Sequence, residues 1–264
     1  MGKGKPFLEV LSSAIHEDYR FPILEIFAFL YALGTFVLAN FTLGLTVQNA
    51  TNDAVAYSVT NSLISGSLIV LIILVLKNVA YGLGSDLEKG IIQTYFSYPL
   101  KRWGILTAKL LSALGISLLL FLGIQISALY ILAPDIVLSQ FGTIILTYVA
   151  SLGYPLLISA IMLLMTLILR RGGISLVVGI VLYFAISIAS GIATVFALAT
   201  ESPLALQIIS VISPSFALQQ HFGGIFDVWT PAFSEVLLYI GVNYTVVISL
   251  FILGYFHFSR RLNL

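Results

Sequence analysis

Hydrophobic residues run in long unbroken stretches along this chain, and polar residues gather in short segments between them. A helix that crosses the hydrocarbon core of a bilayer needs roughly 20 apolar residues. Six stretches reach that length: 22–45, 57–76, 110–132, 143–169, 174–198 and 235–258. In lipid every backbone polar group must be satisfied internally, so runs this long read as helices. The third stops at Ala133-Pro134-Asp135 and the fourth at Arg170-Arg171-Gly172-Gly173. The pattern predicts an all-α membrane protein with six transmembrane helices.

Three further segments differ from the spans. In residues 1–20, Phe7, Leu8, Leu11 and Ile15 share one helical face, while Lys5, Glu9, His16, Glu17 and Asp18 occupy the rest. That is the pattern of an amphipathic helix lying on a membrane surface. Residues 21–264 then form the six-span domain. Within it, residues 199–234 are a long loop that is apolar throughout and broken by Ser213-Pro214-Ser215. This predicts short helices re-entering the membrane. Residues 77–109 form the one substantial polar loop.

Charge orients the chain. All twelve Lys and Arg (Lys3, Lys5, Arg20, Lys77, Lys89, Lys101, Arg102, Lys109, Arg170, Arg171, Arg260 and Arg261) fall on the same side of the six spans. Short cytoplasmic loops collect Lys and Arg, so both termini are expected in the cytoplasm and the 199–234 loop outside. The composition agrees with the class: 59% of 264 residues are hydrophobic and 9% charged, against about 25% charged in soluble domains. There is no Cys, which excludes disulfides and thiolate chemistry. The first apolar run is too long for a cleaved signal and lacks a small-x-small site. Asn49-Ala50-Thr51 is a glycosylation sequon near the outer side, whereas Asn243-Tyr244-Thr245 lies inside a span.

The 77–109 loop carries a helix of its own. Gly84-Ser85 ends the extension of the second span, and Ser85 with Glu88 fits a capping box. Leu87, Ile91 and Tyr95 recur every four residues, and Pro99 stops the helix because the residue before proline avoids helical geometry. On spacing alone this is either a lipid-facing surface turn or a docking element.

The run from Glu88-Lys89-Gly90 through Pro99-Leu100-Lys101-Arg102 to Ala108-Lys109 resembles the loop of ABC-2 type transporter permeases. Ile91 and Ala108 stand where that family often has Thr and Gly. The resemblance implies an ABC-2 (type V exporter-like) fold in which this loop is a coupling helix seated on a separate ATPase subunit. Asp86, Glu88, Gly90, Tyr95, Phe96, Pro99 and Arg102 are the contact residues it implies. It further implies a second permease subunit, identical or not, in the plasma membrane, with export the usual direction; the small apolar outer loop suits a hydrophobic or amphipathic cargo, and equally a drug, a peptide or an ion. ATP and Mg would be bound by the partner, since this chain has no phosphate loop of the GxxxxGK[ST] type. Membrane lipid is the remaining partner, and no nucleic-acid partner is expected.

Two polar stripes sit within the spans. Ser58, Asn61, Ser62 and Ser65 share one face of the second; Ser187, Ser190, Gly191 and Thr194 share one face of the fifth. Small and hydroxyl residues allow close helix packing, and equally line a path between two protomers. Gln125 and Asn243 read as structural hydrogen-bonding amides, and Pro155 as a kink in the fourth span. No acidic residue or His sits at mid-depth, which argues against ion-driven transport. Two other functions fit parts of the pattern. A channel needs only the neutral stripes. A membrane-embedded enzyme needs converging catalytic groups, and His16, His221 and His257 are scattered over both sides, so no catalytic or metal residues are assigned.

Overall fold

A computed structural model describes residues 5–19, 23–45, 52–97, 99–223 and 228–261. They are helical, with no strand among the described residues. In chain order the helices are α1 (Lys5–Asp18), α2 (Ile23–Leu45), α3 (Asn52–Val75), α4 (Leu83–Glu88), α5 (Ile91–Tyr95), α6 (Arg102–Leu110), α7 (Ile116–Leu132), α8 (Pro134–Ser139), α9 (Phe141–Leu169), α10 (Gly172–Thr200), α11 (Pro203–Ile212), α12 (Pro214–Gly223) and α13 (Phe233–Arg261). Six helical rods among the described residues are long and apolar enough to cross a membrane, which makes this an all-α, multi-pass membrane architecture.

Two of these rods are longer than their apolar runs. Wide π-helical turns at Leu76–Gly82 and Leu111–Gly115 join α3 to α4 and α6 to α7 without a break. The second rod therefore runs on to Glu88 rather than ending at Gly84-Ser85. Ser85 is inside a helix and makes no cap; its carbonyl accepts the Lys89 amide at 2.9 Å. The break comes one turn later, at Gly90, whose φ of 71° is left-handed. Glycine takes that conformation without steric penalty. The loop helix predicted as one piece is thus two, α4 and the single turn α5.

α9 lies at the centre and touches α3, α10, α12 and α13. It runs unbroken through Pro155; the proline leaves the Ser151 carbonyl without its helical donor, and one turn on the Ser159 hydroxyl donates back to the Pro155 carbonyl. One apolar core, with Val79, Leu87, Ile92, Leu106, Leu163 and Phe258, joins the rods at one end. Another, with Leu63, Leu71, Phe121, Leu129 and Tyr148, fills the opposite half. Gln125 donates to Tyr31 and Ser67, tying α7 to α2 and α3. Asn243 is buried and donates to the Val211 and Ile212 carbonyls, holding the end of α11 on α13. Both amides are structural groups.

Charge separates along the bundle. Lys77, Lys89, Lys101, Arg102, Lys109, Arg170, Arg171 and Arg260 all lie at the end where α1 docks. Thr143 donates to Asp53 at the other end, where Tyr57 stacks on Phe222. The apolar 199–234 segment folds as α11 and α12 at that other end, parted at Ser213-Pro214 as its sequence predicts.

α1 departs from expectation in one respect. Its packed face is Val10 and Ala14 (1% and 0% exposed), flanked by Phe7 and Leu11, against Tyr95, Ile105 and Ala108. Leu8, assigned to the apolar face, is 61% exposed. Positions 7, 10, 11 and 14 follow the i, i+3, i+4, i+7 rule, and a small residue at 14 admits close contact with α6. The helix is bound to protein on one side and bare on the other.

Candidate functional site

A polar knot holds α1 to the basic end of the bundle. Lys109, on α6, is 5% exposed and reaches two carboxylates, Glu17 of α1 and Asp86 of α4, the latter at 2.7 Å. Its ammonium also lies 5.0 Å from the centre of the Tyr95 ring. The Tyr95 hydroxyl donates to Glu17 at 3.0 Å. An ammonium that deep in a protein needs paired charge, and here it draws three separate segments together.

The two wide turns supply the rest. Ser112, in the second, donates to the Asp18 carboxylate at 2.5 Å. Asn78, in the first, donates to the Tyr19 hydroxyl at 2.8 Å, and that hydroxyl also meets Ser117. Lys77 donates to the Asp18 carbonyl. Insertions of this kind rotate the following side chains off the regular helical face, here onto the end of α1. Burial pushes the Asp18 carboxyl up to about 6, against the pull of Ser112, Lys109 and Lys77. Burial likewise raises the Tyr95 phenol.

The loop is tied to two more rods. The Glu88 carboxylate accepts the amide of Gly172, the first residue of α10, at 3.1 Å. A carboxylate at a helix N-terminus satisfies an orphan amide and complements the helix dipole. Beside it, α4 and α10 touch backbone to backbone: a Cβ on Gly84 would lie 2.8 Å from the Gly172 Cα. Phe96 meets Phe258 of α13 edge-on at 6.4 Å, and the Arg102 guanidinium lies over Phe96 at 5.0 Å.

The residues assigned to ATPase contact therefore divide. Glu88, Pro99 and Arg102 are exposed, together with Lys89, Gln93, Lys101 and Trp103; Gly90 makes the bend between α4 and α5. Asp86 and Tyr95 turn inward onto Lys109 and Glu17, and Phe96 is half-buried. Glu17 and Lys109 were missed as a pair. The available signal was Lys109 itself, lying among the apolar residues of Leu106–Leu110: a lysine so placed is rarely buried without a partner.

The two stripes lie on helices with different neighbours. α3, with Ser58, Asn61, Ser62 and Ser65, packs chiefly on α9, α2 and α7. Ser187 and Ser190 of α10 face Tyr154, Ser213 and Ser215, with Thr194 one turn beyond Ser190. All are half-buried or exposed. Ser187 bonds its own helix at Tyr183 and lies 3.4 Å from the Tyr154 hydroxyl. Ser58 donates to the Val55 carbonyl. Asn49 lies outside the described residues. Among the described residues no three His, Asp or Glu side chains converge as metal ligands. No known protein family, characterised protein or solved structure matches the chain.

Proposed function

We propose that this chain is the membrane-spanning permease subunit of an ABC-2 type ABC transporter, working as a dimer of permeases on separate ATPase subunits. The observation that carries the reading is mechanical. One exposed loop at the basic end is fastened to α1 through Tyr95 and Glu17, to α10 through Glu88, and to α13 through Phe96. A push on that loop reaches three helices at once, two of them spanning rods, as an element driven by an external motor requires. The motor's contact surface is Glu88, Gly90, Pro99 and Arg102 with their exposed neighbours, while Asp86, Tyr95 and Phe96 anchor the loop from within.

In this reading the basic end and both termini are cytoplasmic by the charge rule. ATP and Mg bind the partner. The Ser58–Ser65 and Ser187–Thr194 faces border the route between two permease copies, and the cargo leaving by it is hydrophobic or amphipathic. The direct test is purification of the chain from its native membrane in mild detergent with identification of what co-elutes. A stoichiometric ATPase, lost when Arg102 and Lys101 are changed to Ala, supports the reading. Recovery without any ATPase, under conditions that keep other membrane complexes whole, overturns it in favour of an ATP-independent channel.

A further inference from the structure

A cleft of about 250 Å³ opens between α9, α10, α11 and α12, reaching from the middle of the bundle toward the end away from the charges. Its polar lining is Tyr154, Ser187, Ser190, Ser213, Ser215 and Gln219. These come from α9, α10, α12 and the break at Ser213, so the concave shape is tertiary and not a single stripe. Ile209 and Phe216 supply the apolar wall.

The hydrogen-bonding capacity of the lining is only partly used: Ser187 donates to the Tyr183 carbonyl and Ser213 meets Ser215, but the other polar groups lack good partners. The Tyr154 hydroxyl has only long contacts, 3.4 Å to Ser187 and 3.5 Å to the Tyr183 carbonyl. Hydroxyl bonds favour about 2.7–2.8 Å. The side chains of Ser190 and Gln219 have no hydrogen-bond partner among the described residues. Polar groups at membrane depth are costly when unmatched, so a cleft of this kind calls for a ligand that donates and accepts. Hydroxyls and an amide do both.

The lining also states what is excluded. No Asp, Glu, Lys, Arg or His faces the cleft among the described residues, so an ion brought there would find no countercharge. Along the same face of α10 the cleft gives way to bare apolar surface: Phe184, one turn from Ser187, and Leu198, two turns beyond Ser190, are exposed, as is Ile208 of α11 next to Ile209. A polar recess opening beside such a surface suits a molecule with a polar head and an acyl tail.

We propose that this cleft binds the uncharged, hydroxyl-rich headgroup of an amphiphile, such as a glycosylated lipid, with its chains against α10 and α11. That such a molecule is the cargo rests on the permease reading; that it binds does not, and the assay below contains no ATPase.

The chain carries its own reporter. It has two Trp, and Trp229 packs with Ile209 and Phe216, both in the cleft wall. Full-length Trp103→Phe protein in phosphatidylcholine nanodiscs is titrated with a short-chain diacylglycerol bearing one glucose, and Trp229 emission is followed. A saturable change is expected with the glucolipid and none with the matched phosphatidic acid. Tyr154→Phe and Gln219→Leu, which keep the packing volume, each weaken the response about two- to tenfold, the loss of one neutral hydrogen bond. Ser190→Ala replaces either variant that fails to fold. Equal saturation by the anionic lipid, or an unchanged response in the folded variants, overturns the site. Half-saturation by water-soluble methyl glucoside at the same concentration overturns the amphiphile.

Discussion

Lys109 and Asp86 lie 2.7 Å apart, on two rods whose sequence positions give no hint of the contact. Glu17 completes the pair from a third segment. Removing the ammonium leaves Glu17, Asp18 and Asp86 close together without their central countercharge. Breaking a buried pair by deleting one partner costs about 3–5 kcal/mol, much more than deleting both. Lys109→Met is expected to destabilise by that order, and Lys109→Met with Asp86→Asn by less than the single change. Thermal denaturation in detergent measures both; additive losses would show the pair is uncoupled.

Asp18 makes stability depend on pH. Its carboxyl is raised by burial from an ordinary 3.8 to about 6. Between those values the folded chain holds a proton that the unfolded chain has lost, so stability falls as pH rises from about 4 to 6 and stays low above. Asp18→Asn keeps an acceptor for Ser112 and removes the charge. The variant is expected to flatten this slope and to exceed the parent above pH 6 by on the order of 2 kcal/mol. Denaturation at pH 5 and pH 8 measures it. A variant less stable than the parent at pH 8 would show that the ionised carboxylate is held favourably.

Gly84 and Gly172 meet at a backbone contact that a methyl group cannot enter, since a Cβ on Gly172 would lie 2.8 Å from the Ser85 amide nitrogen and the Tyr81 carbonyl oxygen. Overpacking costs about 1–3 kcal/mol. Gly172→Ala and Gly84→Ala are each expected to destabilise by that amount. Gly173→Ala, with open space around its Cβ, should change little. Melting temperatures of the three variants decide the matter.

Glu88 both anchors the loop and belongs to the docking surface, whereas Arg102 lies on the docking surface without holding α10. Glu88→Gln keeps an acceptor for the Gly172 amide, and Glu88→Ala removes it. Glu88→Ala is expected to lose about 1 kcal/mol. Arg102→Ala, on an exposed side chain, is expected to uncouple ATP hydrolysis from transport while the protein inserts and folds normally. Reconstituted transport and ATPase rates with the co-purified partner test this; normal coupled transport by Arg102→Ala removes it from the docking surface.

The spans were legible because their signal is local. Twenty apolar residues in a row need no partner to declare themselves, and Ser213-Pro214 breaks a helix wherever it occurs. The loop was less so. Ser85 and Glu88 have the spacing of a cap, but a wide turn at Leu76–Gly82 carries the helix through them, and Glu88 serves α10, 84 positions away. Nothing local distinguishes the two uses of that carboxylate. Val10 and Ala14 were hidden for a similar reason: which part of an apolar arc meets protein and which meets lipid depends on where α6 lies. The polar knot depends on π-turn geometry, for which the residues of Leu111–Gly115 carry no recognisable code.

The burial pattern of α10 has a mechanical consequence. Its buried residues are Gly172, Ser175, Gly179 and, near the far end, Ala197. The foot is clamped beside the loop, the middle rests on the bundle only through half-buried side chains such as Leu182, Tyr183 and Ile186, and the tip is geared to α11 through Leu206 and Ile209. Twenty-nine residues at about 1.5 Å each make a lever of roughly 43 Å, so a tilt of about five degrees at the foot moves the tip by about 4 Å. A displacement of that size at the tip carries α11 with it, since Leu206 and Ile209 pack on Ala197. Motion applied at the charged end therefore arrives magnified at the other, with no hinge needed along the rod.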